Sequence, residues 1–163
     1  MGFFDDLKRS VSDVMVGLET QMKRYKNRDV LEALMATCAL IASADGHISA
    51  EEKRKMVGFV RSNPLMQVYD IDEAIKVFTK YAEQFDFDHE IATTEALRVI
   101  GKFANQPDLA RMIIRVGVLV GKADGGFDPE EQEAVRVLAV ELRQDPADFD
   151  LDIKPKRNPD RIR

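Results

Sequence analysis

Ala44-Asp45-Gly46-His47-Ile48-Ser49-Ala50-Glu51-Glu52 returns later in the chain as Ala123-Asp124-Gly125-Gly126-Phe127-Asp128-Pro129-Glu130-Glu131, displaced by 124 − 45 = 79 residues. Each copy follows an apolar run of helical period and precedes an amphipathic one, with Ile48 and Phe127 at matching central positions. The repeated unit therefore reads as helix–loop–helix, and the fold as all-α with two hairpins related by a pseudo-twofold axis. Upstream the match fades: Leu18 aligns with Leu97, but Met22 meets Gly101.

Outward from the two loops the period stays helical, and the β-branched alternation of strands is missing, so about seven helices are expected. The first spans Phe3 to Arg24, with Phe4, Leu7, Val11, Val14, Leu18 and Met22 on one stripe that Tyr25 extends. The second follows Asn27 and runs to Ala44, and the third covers Ala50 to Arg61. Asp70 with Glu73 three residues on reads as a capping box opening the fourth. The fifth runs from Asp88 to Phe103, the sixth from Asn105-Gln106-Pro107 to Ala123, and the seventh from Asp128-Pro129 to Arg143. Asp145-Pro146 opens a last short turn. The second and sixth are nearly apolar all round and read as central helices, with Ala39, Ala42, Gly117 and Gly121 allowing their backbones to approach.

A chain of 163 residues, 45% apolar and 33% charged, fits one domain, placed at residues 1–151. The segment from Asp152 to Arg163 carries five bases against two acids and two prolines, and is expected to be a disordered basic tail. Its net of +3 leaves −8 on the body out of a total of −5. Such a body repels phosphate backbones, and no basic stripe interleaved with aromatics is present, which argues against nucleic acid. The polar start, MGFFDDLKRS, does not suit a signal peptide, and no run of about 20 apolar residues marks a membrane span, so a cytoplasmic location is expected. A lone Cys38 fits a reducing compartment and allows no intrachain disulfide.

Much of each loop is explained by helix termini. Gly46 and Gly125 follow an apolar helix where a left-handed residue is wanted. Ser49 and Asp128 are N-caps with Glu52 and Glu131 three residues on, Pro129 suits a first helical position, and Ile48 and Phe127 plug the corners. Asp45, Asp124, Glu51 and Glu130 are not needed for any of this. Asp45 and Asp124 even sit near helix C-termini, where the macrodipole disfavours an anion, so a positive partner is expected nearby. The spacing also matches the second half of an EF-hand loop, but its first and third positions are Ile41 and Ser43 in one copy and Val120 and Lys122 in the other. An ordinary EF-hand is thereby excluded. Oxygen-only ligands would favour Ca²⁺, Mg²⁺ or Mn²⁺ over Zn²⁺. Of the remaining candidates, His47 reads as a surface residue, His89 as a helix-start residue within carboxylate reach, Cys38 as a small core residue, and the dispersed methionines as packing.

These paired hairpins, with the opening MGFFDDLK and the segments LEALMATCALIASADGHISAEEK and VGVLVGKADGGFDPEEQEAVRVL, are similar to the TerB tellurite-resistance family over about residues 1–151. The resemblance implies an all-α bacterial cytoplasmic protein linked to tellurite and stress or phage and colicin resistance. It also implies metal binding at acidic loop positions, here Asp45, Glu51, Glu52, Asp124, Asp128, Glu130 and Glu131. Implied partners are TerC-like inner-membrane proteins and TerD-like calcium-binding proteins, with membrane contact only through them. A related domain in membrane-anchored DnaJ-like co-chaperones favours an adaptor role.

Independently, one Cys and no flavin, haem or nicotinamide signature supply no reductant for tellurite, and no organic cofactor is expected. The expected function is a non-enzymatic adaptor or metal-linked scaffold. The alternatives are a metal-dependent enzyme acting on a phosphate-containing substrate, which should show a deep pocket lined by both motif copies, and a purely structural repeat.

Overall fold

A computed structural model describes residues 17, 20, 23, 26–46, 48–123 and 126–149. Among them the chain forms six α-helices and no strand: α1 (Arg28–Ala42), α2 (Ala50–Ser62), α3 (Ile71–Phe87), α4 (His89–Gly101), α5 (Pro107–Lys122) and α6 (Pro129–Glu141). Short 3-10 turns at Pro64–Val68 and Pro146–Phe149 complete these elements. Of the expected first helix, only Gly17, Thr20 and Lys23 are described, all helical and exposed. The rest of that helix lies outside the described residues, as do His47, Asp124, Gly125 and the basic tail.

Local chemistry sets the helix ends. Asn27 accepts from the Val30 amide at 2.9 Å, and Asp70 accepts from the amides of Asp72 and Glu73, each such cap being worth ~1 kcal/mol. Glu73 does not return the bond that a capping box requires; its carboxylate pairs with Arg28 and ties the start of α3 to the start of α1. Asp88 serves twice. Its amide donates to the Gln84 carbonyl at the end of α3, and its side chain accepts from Ile91 at the start of α4, so the corner between them turns on one residue. Proline occupies the first turn of both α5 and α6, where its missing N–H costs nothing.

Helix α1 is the axis of the domain core and touches α3, α4, α5 and α6. Its buried residues run from Val30 and Leu31 through Ala33–Ile41, and Thr37 is accommodated there because its hydroxyl donates to the Ala33 carbonyl at 2.8 Å. Full burial of Leu34, Met35 and Ile41 contributes roughly 1.5–3 kcal/mol each. Helix α5 differs from the expectation of an all-round apolar surface: Arg115 is exposed, and Val118 and Leu119 are only partly covered. A Cβ at Gly117 would stand 3.2 Å from both Thr37 Cγ2 and Leu138 Cδ2, so this glycine lets α5 approach α1 and α6. Gly121 serves a different contact, because its missing side chain leaves room for the Phe127 ring.

Candidate functional site

The first loop leaves α1 through a turn centred on Ser43. This residue is fully buried; its amide donates to Ala39 O at 3.0 Å and its hydroxyl to Leu40 O at 3.1 Å. The Ser43 carbonyl in turn accepts from the Gly46 amide at 2.9 Å, and Gly46 takes φ 114°, a conformation that costs a non-glycine residue dearly. The left-handed residue thus falls three positions past the helix cap, at the end of a turn. Ile48 then swings inward to 3% exposure, and Ser49 caps α2 by accepting from the Glu52 amide at 3.1 Å.

The second loop closes on itself more completely. Asp128 accepts from the Glu131 amide at 2.8 Å while Glu131 accepts from the Asp128 amide at 3.3 Å, a full capping box. Gln132 adds a bond from its side-chain amide to the Phe127 carbonyl at 2.9 Å. A complete box is expected in both copies from their spacing, but α2 carries only the Ser49 half. Glu52 Oε2 is instead buried with no hydrogen-bond partner.

The two loops meet. One cleft of about 210 Å³ is walled by Ile41, Met56, Phe59 and Val120 and lined by Asp45 and Glu52 from the first copy and Asp128 and Glu131 from the second. Ile41 and Val120 are repeat partners, as are Glu52 and Glu131, each pair 79 residues apart. Asp45 and Asp128 are exposed at the rim, while Glu52 and Glu131 are half-buried. Among the described lining residues four carboxylates stand with one ammonium, Lys55, which the loop motif itself does not include. Concentrated negative charge over apolar walls of low polarisability strengthens the field that a cation would meet.

Not every expected position reaches the cleft. Glu51 is exposed, pairs with Lys55 at 3.7 Å and does not line it, and neither does the exposed Glu130. Asp124 is outside the described residues. Among the described residues, no three His, Cys, Asp or Glu side chains stand close enough together to hold one metal ion. The donor chemistry nonetheless suits a hard cation, since every charged acceptor is a carboxylate and Glu52 contributes a buried oxygen with nothing bonded to it.

Two further residues depart from or refine their expected roles. Among the described residues His89 engages no carboxylate; its Nε2 lies 3.0 Å from the Ser43 carbonyl and its ring packs edge-on to Phe85 at 5.3 Å. Cys38 is fully buried, and desolvation pushes its thiol up to about 12, which leaves it un-ionised and unreactive at neutral pH. Lys55 and the apolar walls had no signal in the motif, because they come together only through packing. No helix among the described residues is long and apolar enough to cross a membrane.

Residues 31–152 match the family model described as Tellurite resistance protein TerB. The Tellurium resistance protein TerB of an Alcaligenes species is 40% identical over 118 residues, covering 72% of this chain and 97% of that protein. No solved structure matches the chain. With a family match over most of its length and a relative of this identity aligned almost end to end, the chain belongs to the TerB family of tellurite-resistance proteins.

Proposed function

We propose that the chain acts in tellurite resistance as a non-enzymatic adaptor whose acidic cleft takes up a divalent cation and so couples the two hairpins. The observation that carries this reading is the convergence of both loops on one cleft in which Glu52 Oε2 is buried without a partner. A buried carboxylate oxygen left unsatisfied costs on the order of 1–3 kcal/mol, and a cation removes that cost. Since no three of these carboxylates stand close enough to share one ion directly, Asp45, Glu52, Asp128 and Glu131 would hold it largely through bridging water. Carboxylate-only donors favour Ca²⁺, Mg²⁺ or Mn²⁺, with Zn²⁺ the poorer fit. The ion would supply charge neutralisation and a bridge between the copies.

An adaptor of this kind would work in the cytoplasm, at the inner face of the inner membrane, beside TerC-like membrane proteins and TerD-like calcium-binding partners. Reduction of tellurite by the chain itself finds no support in Cys38, which is buried and un-ionised. One observation favours a second reading, a metal-dependent enzyme for a phosphate-containing substrate: both copies do line the same cleft. Its size weighs the other way, since about 210 Å³ is below the ~300–1,000 Å³ usual for small-molecule sites.

Calorimetric titration of the full chain with Ca²⁺, Mg²⁺, Mn²⁺ and Zn²⁺ tests the proposal. One ion per chain is expected, with affinity lowered at least tenfold in Asp45→Asn and Asp128→Asn and unchanged in Glu51→Gln and Glu130→Gln. Equal losses in all four variants, or no heat up to millimolar metal, would remove the cleft from the account. Turnover of a phosphate ester by the metal-loaded chain would favour the enzyme.

A further inference from the structure

The residues that flank the first loop are held from outside it. Its upstream end is Ser43, whose carbonyl already accepts the Gly46 amide and also receives His89 Nε2 at 3.0 Å. A carbonyl only accepts, so Nε2 carries a proton in this contact and His89 is the donor. The downstream end is the first turn of α2, where Lys53 pairs with Asp86 at the end of α3. Asp86 and His89 are three residues apart and straddle the α3–α4 corner at Asp88, so one corner contacts both ends of an eleven-residue segment, 43–53.

We propose that the α3–α4 corner is a two-point clamp on the first acidic loop, with His89 and Asp86 as positioning residues that set where Asp45 and Glu52 stand in the cleft. The corner is itself well anchored. Phe85 is buried at 2% exposure beneath the His89 ring, the Asp88 side chain caps α4, and the Thr93 hydroxyl donates to the His89 carbonyl at 2.7 Å. The side chains at the matching positions of the second copy differ. Seventy-nine positions on from Ser43 stands Lys122, which is exposed where Ser43 is fully buried, and the counterpart of Lys53 is Gln132, which bonds its own loop at Phe127. The first loop is thus held in part by α3 and α4, whereas the bonds described for the second run within it.

The hold of this corner on the loop does not depend on ion binding. Only its consequence for affinity rests on the cleft reading above. The test is amide exchange and ¹⁵N–¹H NMR on the full chain for His89→Phe, His89→Gln and Asp86→Asn. His89→Phe keeps the ring against Phe85 and removes the donor; exchange at the Gly46 amide should rise about fivefold, the effect expected for one lost hydrogen bond. Resonances of residues 45–52 should move while those of 126–131 hold. His89→Gln, which keeps a side-chain N–H, should restore most of the protection, and Asp86→Asn should shift Glu52 and Lys53.

Changes confined to Phe85–Thr93, with Gly46 exchange unaltered in every variant, would overturn the clamp. If His89→Phe does not fold, Asp86→Asn decides: no shift at Glu52 and Lys53 refutes the proposal. With Ca²⁺ as probe, a threefold weaker binding in His89→Phe extends the clamp to affinity. Absence of Ca²⁺ binding in the unsubstituted chain counts against the cleft reading and leaves the exchange result to judge the clamp.

Discussion

In the first loop Ser49 receives the Glu52 amide and Glu52 Oε2 lies buried and unbonded, whereas in the second Asp128 and Glu131 each hold the other's amide. The same spacing has been put to two uses. One glutamate completes a helix cap, and its repeat partner keeps a carboxylate oxygen available inside the cleft. The neighbouring position diverges in parallel, with Gln132 bonding its own loop and Lys53 drawn off to Asp86. The corner plugs differ as well, and each matches its seat: Phe127 requires Gly121 beneath its ring, while the smaller Ile48 sits in a copy where the equivalent residue is Ala42. Both loops line one cleft, and the bonds described for the second run within it while the first is also tied to α3 and α4.

The plugs provide the largest expected effects. Ile48→Ala should cost about 3 kcal/mol and Phe127→Ala about 2 kcal/mol, the smaller side chain mattering more because it is the more deeply buried. Equilibrium urea unfolding measures both, and the reverse order would contradict the assignment of Ile48 to the core. Next comes the seat. A Cβ at Gly121 would lie 2.5 Å from Phe127 Cε1, so Gly121→Ala should cost ~1–2 kcal/mol. The double variant with Phe127→Ile recreates the pairing of the first copy and should recover most of that loss. Simple additivity would show that the two positions are not coupled.

Smaller effects separate the glutamates. Glu131→Ala breaks the capping box and should cost about 1 kcal/mol, while Glu52→Ala should be neutral or slightly stabilising, since it removes a buried oxygen that has no partner. Equal losses would mean that both copies are plain caps. A pH dependence also divides the copies, because Cys38 has Gly117 as its repeat partner. Burial raises the thiol from an ordinary 9.0 to about 12, so the folded state keeps a proton that the unfolded chain loses. This contribution is complete below pH 9 and is lost as pH climbs toward 12. Stability should fall by about 1 kcal/mol between pH 9 and 10, and Cys38→Ala should flatten that slope.

Most helix ends were legible because Asn27, Ser49, Asp70, Asp88, Pro107 and Asp128 announce them through local backbone chemistry. The central place of α1 followed equally from its nearly all-round apolar surface. What escaped the sequence depends on distant partners. Glu73 leaves its expected box for Arg28, 45 residues away, and His89 reaches Ser43 across 46. Spacing alone does not say that Glu52 and Glu131, which read as caps, line the cleft while Glu51 and Glu130 do not. That choice is made by the packing of Met56 and Phe59, which turns one face of α2 inward.

The measurement that bears most directly on a shared site is an NMR titration of the full chain with Ca²⁺, repeated with Mg²⁺ and on Glu52→Gln. The account predicts that amides of residues 45–52 and 126–131 shift together along one saturation curve, and that Glu52→Gln weakens both sets equally. Two independent curves, or shifts in one loop alone, would contradict a single cleft built from both copies.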